Sequence, residues 1–223
     1  MKRVTLTFDN GPTEQTTPIV LAELAEREIL AYFCVVGTQL QGERQADLTR
    51  RAFSLGHKIV NHSLTHMVPL GDRSTMQHAR AEIADMHELM REKLGFWGEC
   101  WFRPFGRGGA IGPHIFSPNA LLQFEKLHYS VLLWNSVPRD WEDPNGWVET
   151  CLNDIAQHEH TVVVLHDIDT GAMKHLPYFL DELAKLSIEI TQELPDECIP
   201  IRRGKPSFTQ SQLAALTCGN TLN

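Results

Sequence analysis

Hydrophobic positions along the chain switch repeatedly between a period of two and a period near 3.6, and each switch marks a predicted element. Val4–Phe8 (Val-Thr-Leu-Thr-Phe) alternates and is rich in β-branched residues, as a strand requires. Thr16-Thr17-Pro18 reads as a helix start, with Ile19, Val20, Leu24 and Ile29 along one face of that helix. Leu30–Val36 is a second strand closed by Gly37, and Ala46–Leu55 is a helix capped by Gly56. The short strand Lys58–Asn61 precedes a long helix from about Thr75 to Leu94, which ends at Gly95. Trp101–Arg103 is a brief strand that runs into the Gly-rich loop Gly106–Gly112. Further strands are predicted at Tyr129–Trp134, Thr161–Leu165 and Ser187–Thr191, separated by helices near Asn119–Leu127, Gly146–His158 and Met173–Leu186.

Seven strands interleaved with helices point to an α/β protein with a parallel sheet covered by helices, either open or closed into a barrel. At 223 residues the chain suits one well-buried domain. We place that domain at residues 1–206, with 207–223 as a C-terminal tail that forms a last helix or stays partly disordered. A net charge of −8 argues against a nucleic-acid surface, and no apolar run approaches the ~18 residues that span a bilayer. The basic cluster Arg202, Arg203 and Lys205 reads as a solvated exit from the domain. Five scattered cysteines without a Cys-x-x-Cys pair fit a reducing compartment. With a strand entered at Val4 and no room for a signal peptide, a cytoplasmic location is expected.

Candidate chemistry lies at the strand ends. In a (β/α) barrel, catalytic groups sit at the C-terminal ends of the strands. Here Leu6–Phe8 is followed by Asp9 and Asn10, Ile59-Val60 by Asn61 and His62, and Trp101-Phe102 by Arg103. Leu132–Trp134 is followed by Asn135 and then Asp140, and Val162–Leu165 by His166 and Asp167. One such ending is ordinary turn chemistry, whereas five on one rim read as an active site. Taken singly, Asp9-Asn10-Gly11-Pro12 is also a plain turn, and His62/His66 is a weak metal signal among eleven histidines. His158-Glu159-His160 is a chance pair by the same count.

On these residues the chain resembles the polysaccharide deacetylases, the NodB-homology domain of carbohydrate esterase family 4. Thr7-Phe8-Asp9-Asn10-Gly11-Pro12 is similar to that family's Thr-Phe-Asp-Asp-Gly-Pro motif, and Asn61-His62-Ser63-Leu64-Thr65-His66 to its His-(Ser/Thr)-x-x-His motif. Phe102-Arg103-Pro104-Phe105-Gly106 resembles its Arg-x-Pro-(Tyr/Phe)-Gly motif. Asp140-Trp141 and Leu165-His166 resemble its last two motifs. The resemblance covers Val4 to about Thr191 and implies a distorted (β/α)7 TIM-like barrel of the NodB/polysaccharide deacetylase type.

The resemblance also implies roles. A divalent metal, usually zinc in this family, would be held by Asn10, His62 and His66, with Asp9 as general base and His166 as general acid. Arg103 would pair with Asp9, and Asp140 would orient His166. The backbone N–H of Phe105, beside Gly106, would face the oxyanion, and Trp141 with Leu165 would wall the acetyl methyl. Position 10 is Asn where the family usually has a metal-binding Asp, so affinity for Zn²⁺ is expected to fall. The third motif is one residue short, and Val137 stands where many members have a further Asp, changes that suggest a substrate other than chitin or xylan. The expected partner is a carbohydrate or small-molecule substrate, with neither nucleic acid nor membrane. Two other readings stay open: a metal-independent carbon–nitrogen hydrolase of the same fold, and a catalytically silent carbohydrate-binding homologue.

Overall fold

A computed structural model describes residues 1–95 and 98–219. Among them nine strands form: β1 Arg3–Asp9, β2 Tyr32–Val35, β3 Lys58–Asn61, β4 Trp101–Phe102, β5 Ser130–Val131, β6 His160–His166, β7 Glu189–Ile190, β8 Ile201–Arg202 and β9 Lys205–Pro206. The chain divides into two compact units. The first comprises Met1–Val35, Gln39–Ile59 and Trp134–Pro195, and the second Val36–Thr38, Val60–Leu133 and Asp196–Asn223.

In the first unit β1 lies between β6 and β2, parallel to both, and its opening residues also pair with β7. One face of β1 carries Val4, Leu6 and Phe8, all fully buried. Its other face carries Thr5, Thr7 and Asp9, which are buried too, so the strand is covered on both sides, as parallel sheets require. The threonine hydroxyls are satisfied there: Thr7 Oγ1 donates to the Val163 carbonyl at 2.7 Å, and Thr5 Oγ1 to that of Glu193 at 2.5 Å. The helix Thr17–Glu26 buries Thr17, Val20, Leu21 and Leu24, a three-to-four-residue stripe. Ile19, expected on that face, points to solvent, because one step along a helix rotates a side chain by about 100°.

In the second unit β4 is parallel to β3 and to β5, while β8 and β9 are antiparallel additions. The basic cluster expected to be a solvated exit is therefore a β-hairpin. Its tip, Gly204, has φ +79° and approaches the backbone of Phe124 and Glu125 too closely for any side chain. Arg203 N–H donates to Ser130 Oγ at 3.0 Å. The strand expected at Tyr129–Trp134 shortens to two residues, and by Leu133 the backbone N–H bonds the Cys198 carbonyl instead. The long helix expected over 75–94 is present, capped by Thr75 and closed by Gly95, but its middle, Arg80–Asp85, is a π-helical turn. Tail residues Gln210–Ala215 form a helix with a Thr209/Gln212 capping box, while 220–223 lie outside the described residues. All five cysteines are free, and no helix among the described residues is long and apolar enough to cross a membrane.

Candidate active site

In the first unit, strand register brings the acid–base candidates together. β1 and β6 run in parallel over seven residues, so that Asp9 and His166 are direct Cα partners where the two strands end. Neighbouring residues at the same register point to the same face of a sheet, and both of these side chains are buried. Asp140, with no exposed surface, reaches His166 twice: its Oδ1 lies 2.7 Å from the ring Nδ1, and its Oδ2 accepts the backbone N–H at 2.9 Å. With the Nδ1 proton held by Asp140, Nε2 is the ring nitrogen left to face other groups. Burial by itself lowers this imidazole's pKa. The hydrogen bond and charge of Asp140, with Asp9 and Asp167 nearby, outweigh it, and the net shift is upward. Trp141 meets the ring edge-on at 4.7 Å.

Leu165 does not join this cluster. It is fully buried and, by strand alternation, faces away from His166; the position sharing the face of His166 is Val164. Asn10 follows Asp9 with φ +75°, a left-handed conformation that Asn tolerates, and its buried Oδ1 has no hydrogen-bond partner.

The sequence marks Asp167 only as a neighbour of His166. Its carboxyl is buried against Gly11, where any Cβ would overlap it, and Oδ2 accepts Thr17 Oγ1 at 2.6 Å. Burial, with Asp9 adding repulsion, pushes its pKa up to about 6. A strand end followed by two polar residues is the only signal the sequence offers for it.

In the second unit, β3 and β4 place His62 beside Arg103. Arg103 N–H bonds the Asn61 carbonyl at 2.9 Å, and His62 Nδ1 lies 2.8 Å from the Arg103 carbonyl. A carbonyl can only accept, so His62 carries its proton on Nδ1 and presents Nε2 as the lone-pair nitrogen, the tautomer that metals bind. The His66 ring lies 4.7 Å from that of His62 and stacks on Phe105 at 4.0 Å. Arg103 is fully buried, and Gly106 continues the loop as a half-buried residue.

Within the second unit, His62 and His66 offer two imidazoles, one with its tautomer fixed, donors that suit a divalent ion of intermediate softness. Among the described residues no group of three or more His, Cys, Asp or Glu side chains is gathered for a metal.

The model of the family described as "Polysaccharide deacetylase" matches residues 1–113. A chitooligosaccharide deacetylase of Bradyrhizobium sp. (strain ANU 289) is 28% identical over 176 residues, which is 74% of this chain and 71% of that protein. A family 4 acetyl xylan esterase from Clostridium thermocellum, solved in complex with a cobalt ion, superposes with a TM-score of 0.65 at 24% identity, over 85% of this chain and 87% of its own. A CE4 family pseudoenzyme from Bacillus anthracis gives a TM-score of 0.69 at 16% identity, over 85% of this chain and 63% of its own. These likenesses show a shared α/β fold of the NodB type.

Proposed function

The chain belongs to the polysaccharide deacetylase family, and from that premise we propose that it is a hydrolase removing an acetyl or similar acyl group from the nitrogen of an amino sugar or small amide. The observation that carries the reading is the strand-end pair Asp9 and His166, in register on adjacent parallel strands, with Asp140 bonded to the imidazole.

Asp9 serves as the base. It takes a proton from the water that attacks the acyl carbon, and the tetrahedral intermediate forms as the carbonyl π bond breaks. His166, kept protonated by Asp140, gives its Nε2 proton to the nitrogen as the C–N bond breaks, so that a neutral amine leaves rather than an amide anion. Arg103 contributes a buried positive charge and the carbonyl that orients His62. The backbone N–H of Phe105, beside Gly106, is assigned to the oxyanion, and Trp141 to the acyl methyl. A divalent metal, zinc by family habit, would supply Lewis acidity to the reaction when bound. His62 and His66 would hold it, and Asn10 stands at the point in the sequence where the family has its third ligand.

Relatives are named for chitooligosaccharides and xylan, and an N-acetylated sugar is the substrate class we favour here. The uncharged amide of Asn10 supports one rival, metal-independent hydrolysis of a carbon–nitrogen bond. Acetate release from chitooligosaccharides and N-acetylglucosamine peptidoglycan fragments, before and after chelation and on return of Zn²⁺ or Co²⁺, separates the two. We expect release that chelation abolishes and metal restores. Full release without metal supports the rival, and no release from any acylated amine removes the proposal.

A further inference from the structure

The segment between His62 and His66 is an unfavourable piece of backbone. Ser63 and His66 have φ of +69° and +55°, left-handed values that side chains other than Gly and Asn rarely adopt. Such a conformation persists only where its surroundings over-determine it. Part of the support is local: Ser63 N–H donates to Asn61 Oδ1 at 3.0 Å, and His66 N–H to Ser63 Oγ at 3.1 Å.

The rest comes from the π-helical turn Arg80–Asp85. Glu82 is buried, and both of its carboxylate oxygens are committed to one residue of the segment: Oε2 accepts Thr65 N–H at 2.9 Å, and Oε1 accepts Thr65 Oγ1 at 2.7 Å. The adjoining Ile83 carbonyl accepts Asn61 Nδ2 at 3.1 Å. A carboxylate is costly to bury unless its oxygens are occupied, and this one is occupied by the residue that precedes His66. π-turns are uncommon in helices and concentrate at functional sites.

We propose that Glu82 is a positioning residue that clamps Thr65 from the π-turn and so fixes His66 relative to His62 as a pair of metal donors. The inference deepens the functional reading above and rests on it. Outer partners of this kind set metal affinity because a misdirected imidazole binds weakly even when the chain is folded.

Co²⁺ is the probe, followed by its visible d–d absorption and by calorimetry on the whole chain, with the melting temperature recorded in parallel. Glu82→Ala is expected to weaken Co²⁺ binding roughly 10- to 100-fold and to alter the absorption band. Glu82→Gln is expected to stay near the parent, since its amide oxygen still accepts Thr65 N–H and its NH₂ can donate to a turned Thr65 hydroxyl. Thr65→Val, which deletes only the hydroxyl contact, is expected to weaken binding several-fold and provides the test if Glu82→Ala does not fold. A lowered melting temperature with parental Co²⁺ affinity and spectrum makes Glu82 a structural tie alone and overturns the proposal, as does parental binding by Thr65→Val. If the unsubstituted chain shows no Co²⁺ spectrum, the metal reading itself fails and takes this inference with it.

Discussion

The two units hold their candidate site residues by different means. In the first, Asp9 and His166 are placed by seven consecutive parallel register pairs, and the backbone there is ordinary strand up to the last residue. In the second, β3 and β4 share one register pair, Asn61 with Phe102, and the histidine-bearing segment beyond them is held by side chains in left-handed backbone. Where long strands do the positioning, a substitution at the site should change chemistry and spare the fold. Where side chains do it, loss of one clamp should reach both stability and the direction of a ligand.

The largest expected effect tests the first half of that contrast. Asp140→Asn leaves an acceptor near His166 but removes the charge that outweighs burial and keeps the ring protonated. Turnover should fall by about a thousandfold, within the range of general acid catalysis. Because the acid must be protonated to act, the alkaline limb of the pH–rate profile should move to lower pH. Melting temperature should change little. An unmoved alkaline limb would separate Asp140 from the titration of His166.

Next in size is a stability effect in the same unit. Asp167 has a native pKa near 6, against the usual carboxyl range near 4, so the folded chain holds this proton more tightly than the unfolded chain does. Its contribution to stability is therefore full below pH 4 and is lost as pH rises through 6, a loss of about 3 kcal/mol. Asp167→Asn keeps an acceptor for Thr17 and cannot ionise, so it should gain on the parent by about that amount between pH 4 and pH 7 in urea titrations. Parallel pH profiles for the two proteins would show that Asp167 is not the buried acid that its contacts indicate.

The same contrast separates the features that the sequence makes visible from those it hides. The strand-end placement of Asp9, His166 and Arg103 was legible because a short apolar run closing on polar residues marks the C-terminal end of a strand in an α/β sheet. The face of β6 was also open to strand alternation, which puts Val164 rather than Leu165 beside His166. The hairpin β8–β9 was not legible, since two residues per strand are too few to show a period. Nor was the π-turn, where Arg-Ala-Glu-Ile-Ala-Asp reads as any amphipathic helix and Glu82 as one of its solvated charges. Irregular backbone held by side chains has no period, and so the second unit hid more of its candidate site than the first.

The smallest predicted effect lies one step further from the ligands. Tyr129, fully buried, joins the Asn61 clamp to the helix: its hydroxyl accepts Asn61 Nδ2 at 3.1 Å and lies 2.9 Å from His87 Nδ1. Burial lowers the pKa of His87, which favours a neutral ring whose Nδ1 accepts the phenol proton. Tyr129→Phe removes that oxygen and leaves one Asn61 amide hydrogen and the His87 lone pair without it, while Asn61 keeps the Ile83 carbonyl. Loss of a buried hydrogen bond of this kind costs about 1–2 kcal/mol, so the melting temperature should drop by a few degrees. Co²⁺ affinity should weaken by no more than about threefold, well short of the change expected on losing the direct clamp at Glu82. A loss as large as that of Glu82→Ala would mean that the histidine segment is set by the whole Asn61–Tyr129–His87 chain rather than by the π-turn carboxylate.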